Sequence, residues 1–204
     1  MRIGIFGGSF DPIHLGHLIL AEQCREQAPL DQVWFVPCSL QPHKHNGAHG
    51  TDRQRSEMIE IAIAGHESFV LSKLEMERGG VSYTVETLEQ IHESNPEDEL
   101  FLLMGDDSLE NFDSWREPGK ICRLATPLVV NRPGRGEVDV SLLKKYVDAE
   151  RFTMFEETAI KSPRIEISSS DIRAKVADGK SIRYLTSRGV EKYIEAQKLF
   201  LAKE

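Results

Sequence analysis

The sequence predicts an α/β fold, a three-layer sandwich in which helices cover both faces of a mainly parallel sheet, with a helical C-terminal part. Three observations carry this. Short apolar runs alternate with segments of helical period along the 204 residues. One run, QVWFVP at Gln32 to Pro37, is apolar on both faces, as a strand covered by helices on each side must be. Two runs stop abruptly at Gly7 and Gly105 before a helical pattern begins, the punctuation of a strand-to-helix junction.

Taken in order, Arg2 to Phe6 reads as a buried strand of branched and aromatic residues ending at a glycine pair. From Leu15, the positions Leu15, Leu18, Ile19, Ala21 and Cys24 keep a helical period that Pro29 breaks. Gln32 to Pro37 is the second strand, and the polar loop CSLQPHKHNGAHGT follows it. Thr51 or Asp52 caps a helix whose inner face is Met58, Ile59, Ala62 and Ile63. Phe69 to Lys73 is a short strand. A helix capped by Ser82 then buries Val85, Leu88 and Ile91, three residues apart on one face. Leu100 to Met104 repeats the opening arrangement, running into Gly105, Asp106 and Asp107, and TPLVVNRPG supplies a further strand and turn. The last third reads as a strand at RFTMFE, a strand into a helix at RIEISSSDIRAKVADG, and a closing helix at RGVEKYIEAQKLFL. With no repeat, low-complexity tract or linker, residues 1–204 are expected to form one domain.

Charge and cysteines narrow the function. A net charge of -8 argues against binding nucleic acid or an anionic membrane, since both need a positive surface. It leaves room for a local basic pocket. Cys24, Cys38 and Cys122 are far apart and form no CxxC pair, so neither a disulfide framework nor a thiolate metal site is expected. The N-terminus lacks a continuous apolar targeting segment, and no later run is long enough to span a bilayer. The cytoplasm is the expected compartment. With no heptad or clear apolar stripe, the chain is expected to be a monomer or a homodimer.

The chemistry concentrates at GGSFDPIHLGH, Gly7 to His17. In an open α/β sheet, ligands sit beyond the carboxyl ends of the strands, where strand order reverses. Gly7 and Gly8 allow a tight turn and close approach to the backbone, Ser9 offers a hydroxyl, and His14 and His17 lie on one side of the first helical turn, with Gly16 leaving that surface open. With the positive end of the helix, this makes an anion site. It lacks GxxxxGK[ST] and GxGxxG, so it is neither a P-loop nor a dehydrogenase-type loop. The histidines at 43, 45 and 49 match no standard zinc spacing, and Mg²⁺ is expected to arrive on nucleotide phosphates instead. At ISSSDIR, Ile167 to Arg173, two accounts hold on the residues alone. Ser168 or Ser169 can cap the next helix, with Asp171 in its first turn. Alternatively, Ser168 and Ser169 offer donors and Arg173 a delocalised cation to a polyphosphate.

Together GGSFDPIHLGH and ISSSDIR resemble the two signatures of the HxGH nucleotidyltransferases, a superfamily with a Rossmann-like fold. The length, PHK at Pro42 to Lys44, GDD at Gly105 to Asp107, and RYLTSRGVEKYI narrow the resemblance to the bacterial nicotinate-nucleotide adenylyltransferase family, over essentially the whole chain. The resemblance implies adenylyl transfer from ATP to nicotinate mononucleotide, giving deamido-NAD and pyrophosphate, with Mg²⁺ bound together with ATP. It also implies roles. His17 contacts the ATP phosphates and stabilises the charge passing to pyrophosphate, with His14 orienting the chain beside it. The backbone of Gly7, Gly8, Ser9 and Phe10 lines the nucleotide cleft, Arg132 lies on its nucleotide side, and Ser168, Ser169 and Arg173 grip the outer phosphates. His43 and Lys44 reach the acceptor phosphate, Gly105 and Asp107 hold a ribose, and Tyr83, Thr84 and Trp115 surround the nicotinate ring. Each has a plainer account as a loop, capping or core residue.

Some residues depart from the family pattern. QPHK stands at Gln41 to Lys44 where PPHK is frequent, Ser170 replaces a usual threonine, Thr186 and Ser187 replace a valine-proline pair, and Arg116 follows Trp115 where an aromatic is common. The last bears on the ring pocket. Nicotinamide mononucleotide or pantetheine phosphate as acceptor, and a nucleotide-binding protein without turnover, are the competing readings.

Overall fold

The structure, a computed structural model, describes residues 1–40, 48–131, 139–156, 160–163 and 165–202. Strands β1 (Arg2–Gly8), β2 (Gln32–Pro37), β3 (Phe69–Leu71), β4 (Glu99–Gly105), β5 (Ala125–Asn131) and β6 (Ile160–Lys161) form one sheet in the order β3-β2-β1-β4-β5-β6. Every pairing is parallel. The chain winds outward from β1 to β3, then returns across the sheet to β4 on the other side of β1. Strand order therefore reverses between β1 and β4, and a crevice opens beyond their carboxyl ends.

Helices α1 (Leu15–Gln27), α2 (Asp52–Ile63), α3 (Leu74–Arg78), α4 (Thr84–Ser94), α5 (Asp106–Glu110), α6 (Pro118–Leu124), α7 (Ala149–Glu156), α8 (Ser169–Ala177) and α9 (Arg188–Ala196) complete the three layers. Alternation along the strands divides the core in two. Ile3, Ile5, Leu100, Leu102 and Met104 face Val85, Leu88 and Ile91 of α4 and Cys122 of α6. Phe6, Phe35, Phe101 and Leu103 face Ala21 and Cys24 of α1, Met58 and Ile59 of α2, and Ile172 and Val190 of the last two helices. Burial on both faces explains why these strands read as continuous apolar runs.

The C-terminal part departs from the expectation in two places. RFTMFE lies in α7, not in a strand: Phe152 and Phe155, three apart, are both buried, which a helical face allows and a strand's two faces do not. The edge of the sheet is taken instead by the two residues of β6, paired Val130 to Ile160. Residues 165–168 before α8 are not a strand, and the segment from Phe69 ends its pairing at Leu71. Thr51 caps α2 in a reciprocal box with Gln54, and Ser168 caps α8 by accepting Asp171 N–H at 3.1 Å. Ser82 does not cap α4. Its hydroxyl accepts the Ser39 N–H at 3.1 Å and so ties α4 to the segment after β2. Asp106 begins α5, where its carboxylate accepts the Asp107 N–H at 2.9 Å.

Candidate active site

At the end of β1 the chain must turn away from the sheet and present a helix N-terminus to the crevice. A Cβ on Gly8 would stand 3.1 Å from the Phe10 ring, and one on Gly7 would meet nothing within 4 Å. Gly8 thus makes room for Phe10, which sits at φ 46° with its ring buried against Phe6, Phe35 and His17. Such a φ is unfavourable for a bulky residue and persists only where the surroundings impose it.

The surroundings do so by taking the loop's carbonyls. Arg55 of α2 donates to Ser9 O at 2.8 Å, Arg173 of α8 to Asp11 O at 2.6 Å, Ser169 to Pro12 O at 2.9 Å, and Thr186 to Ile13 O at 2.8 Å. Asp11, 2 % exposed, accepts the N–H groups of His49 and Gly50 at 2.7 and 3.0 Å and lies 3.9 Å from Arg173. Four donors from three distant parts of the chain hold these carbonyls against the protein.

His14 is the N-cap of α1 and His17 its third helical residue. The His17 N–H points to His14 Nδ1 at 3.3 Å, and the His14 N–H to His17 Nδ1 at 3.2 Å. This is a capping box built from two imidazoles. The rings stack at 3.6 Å with an interplanar angle of 19°. With each Nδ1 accepting a backbone proton, the hydrogen-bond network assigns the neutral tautomer protonated at Nε2. Both histidines therefore carry an Nε2–H donor. Gly16 does not simply leave a surface open: a Cβ there would stand 3.0 Å from His14 Nδ1, so the glycine makes room for the folded-back ring.

Burial pushes the His14 imidazole down to about 4, and burial together with the neighbouring His14 holds His17 well below its ordinary value. Between those pH limits the unfolded chain binds a proton at position 14 that the folded chain refuses, so stability falls as pH drops below 6.5. Against a His14→Asn variant, which keeps an N-cap acceptor, the wild type is expected to lose about 2 kcal/mol on going from about pH 7.5 to about pH 5. Urea midpoints at the two pH values measure this. Parallel loss in both proteins would show that His14 is not the group refusing the proton.

Beyond β1 and β4 lies a cleft of about 1000 Å³ whose walls include Gly7, Gly8, Tyr83, Thr84, Gly105, Asp107 and Trp115. The structure thus brings the nucleotide-loop glycines and the expected acceptor residues to one cavity. Phe6 also lines it, and its ring meets that of His17 at 5.9 Å, whereas His14 and His17 themselves are not among the lining residues. Trp115 rests on Phe112 with ring centroids 5.3 Å apart. Ser168, Ser169 and Arg173 stand behind the loop at the start of α8 rather than in the cleft wall. His43, Lys44 and Arg132 lie outside the described residues. Among the described residues, no three His, Cys, Asp or Glu side chains converge to hold a metal ion.

Asp11, Arg55 and Thr186 escaped the sequence reading as site residues. Arg55 carried a usable signal: it precedes Met58 and Ile59 by three and four residues, on the helix face already recognised as inner. Asp11 lay inside the GGSFDP motif but had no visible partner until the fold delivered His49, Gly50 and Arg173.

A cytidylyltransferase-like family model matches residues 5–175. A Rhodopirellula baltica protein named "Probable nicotinate-nucleotide adenylyltransferase" is 39% identical over 198 residues, covering 97% of this chain and 92% of that one. The chain belongs to the nicotinate-nucleotide adenylyltransferase family. A Geobacillus thermodenitrificans family member of the same name is 38% identical, covering 99% of this chain and 87% of that one. The nicotinic acid mononucleotide adenylyltransferase of Plasmodium falciparum, solved in complex with NaAD, superposes with a TM-score of 0.77 at 21% identity, covering 98% of this chain and 97% of that one. That likeness shows the Rossmann-like fold to be shared by this member of the family.

Proposed function

We propose that this chain transfers the adenylyl group of ATP to nicotinate mononucleotide, giving deamido-NAD and pyrophosphate in NAD biosynthesis. The carrying observation is the pair of Nε2–H donors held by a reciprocal cap in the loop that continues from Gly7 and Gly8 of the cleft wall, a loop whose carbonyls are held back. Such an arrangement selects an anion on its open side. Family membership selects the reaction.

The acceptor's phosphate oxygen attacks the α-phosphorus of ATP, forming a P–O bond as the bond to the β-phosphate oxygen breaks. The electron pair leaves with pyrophosphate. No covalent enzyme intermediate is required, so positioning and charge stabilisation carry the rate. In this reading His17 donates to the phosphate on which charge develops and His14 steadies its neighbour. A polyanion beside the rings favours their protonation, opposing the effect of burial. Ser168 and Arg173 meet the outer phosphates. Ser169 and Arg173 also keep the loop in shape through their bonds to Pro12 and Asp11. The backbone from Gly7 to Phe10 and Arg132 attend the nucleotide, Lys44 and His43 the acceptor phosphate, Gly105 and Asp107 a ribose, and Tyr83, Thr84 and Trp115 the nicotinate ring. Mg²⁺ arrives with ATP as part of the substrate, held by phosphate oxygens and water. Three buried cysteines, none of them in a disulfide, suit a reducing compartment, and we place the reaction in the cytoplasm.

The decisive experiment supplies ATP and Mg²⁺ with nicotinate mononucleotide, nicotinamide mononucleotide or pantetheine phosphate, and measures pyrophosphate. Release is expected with nicotinate mononucleotide, well above the other two. Background release with every acceptor would sink the enzymatic reading, and faster release with the amide would overturn the choice of acceptor.

A further inference from the structure

Arg116 follows Trp115 on the cleft and replaces an aromatic residue common in the family. Its guanidinium lies 4.8 Å from the centroid of the Tyr83 ring, and its Nη1 is 2.6 Å from Glu86 Oε1 in α4. Tyr83, Trp115 and Arg116 all line the cavity. Among the described lining residues, Arg116 is the sole lysine or arginine, whereas Glu75 and Asp107 contribute carboxyl groups. Glu75 Oε1 accepts the Thr87 hydroxyl at 2.6 Å. Among the described lining residues, an anionic group entering the cleft would meet no cationic side chain other than Arg116.

We infer that Arg116 is a specificity-determining residue that favours an acceptor bearing a ring carboxylate over the corresponding amide. The inference rests on the adenylyl-transfer reading above. The two acceptors have nearly the same shape and differ by one charge on the ring, so discrimination must come from a charge or an oriented dipole near that end. The acceptor's phosphate has to reach the loop from Gly7 to His17, and the ring lies at the opposite end of the molecule. The aromatic wall of Tyr83 and Trp115, with Arg116 at its rim, is the cleft's counterpart to that end. Stacking on Tyr83 and pairing with Glu86 fix the guanidinium before substrate arrives, which reduces the ordering cost of the contact. A guanidinium has five N–H donors and can accept a second carboxylate while keeping Glu86.

Arg116→Gln and Arg116→Lys test this against a purely structural role over Tyr83. The readout is the ratio of kcat/KM for nicotinate mononucleotide to that for nicotinamide mononucleotide. The glutamine variant is expected to lower this ratio about tenfold, chiefly through KM for the acid, with lysine restoring part of it. A ratio unchanged in Arg116→Gln, with both acceptors weakened in parallel, would reduce Arg116 to support for Tyr83 and overturn the proposal. Calorimetric binding of the two mononucleotides to the same proteins reads the preference without turnover. Failure of the adenylyl-transfer reading would appear as wild-type protein releasing no pyrophosphate, and the binding ratio would still decide Arg116.

Discussion

His17→Ala is expected to lower kcat by about 10²–10³-fold, the usual cost of removing one positioned donor from a developing negative charge. The Nε2–H of His17 is placed with unusual care. Its Nδ1 is committed to the His14 N–H, one face of the ring stacks on His14, and its edge contacts meet Phe10 and Phe6. These contacts fix the tautomer and direction of the donor before ATP arrives, so little reorganisation remains for the reaction itself. The same contacts make His17 more than an exposed helix-start residue. Alanine at this position also removes half of a capping box, at a cost of about 1 kcal/mol. Steady-state pyrophosphate release and a thermal melt separate the two effects: turnover should collapse while a cooperative melt persists a few degrees lower. Retention of most of the wild-type turnover would take His17 out of the mechanism.

The layered fold was legible because parallel sheets leave a strong trace. QVWFVP could be apolar on both faces only if helices covered both, and the pattern at Val85, Leu88 and Ile91 could be helical only if one face was buried. RFTMFE was misread because six residues with apolar side chains only at Phe152, Met154 and Phe155 fit either period. Its two phenylalanines settle the matter only once α7 packs against β5. At the site, the strand-to-helix turn from Gly7 to His17 was legible, but the means of holding it was not. Ser169 read as either a cap or a phosphate ligand and Arg173 as a cation for a polyphosphate, and nothing local indicated that their partners are the carbonyls of Pro12 and Asp11, more than 150 residues away in sequence. Contacts of that kind arise from topology: α8 reaches the β1–α1 loop because both belong to the layer on the same face of the sheet.

Arg55 illustrates what such hidden support is worth. It is fully buried, and its guanidinium donates to Ser9 O at 2.8 Å, Cys38 O at 2.7 Å and Asp52 Oδ1 at 2.7 Å. It therefore joins the ends of the two segments that leave β1 and β2, below the cleft. A buried ion pair can often be exchanged for apolar packing without loss, because both charges leave together. That route is closed here, since two of the three acceptors are backbone carbonyls that no side-chain substitution removes. Arg55→Met keeps an apolar stem of similar length but strips those carbonyls of their donor, and Asp52, half exposed, recovers water more readily than they do. The expected loss is about 3 kcal/mol, read as a lower urea midpoint at unchanged slope. Phe10 at φ 46° depends on the same clamp, so its release should let the loop relax and lower kcat/KM even at temperatures where the variant stays folded. A loss below about 1 kcal/mol, with kcat/KM unchanged, would mean that water or a small backbone shift satisfies both carbonyls and that Arg55 is not what imposes the loop's shape.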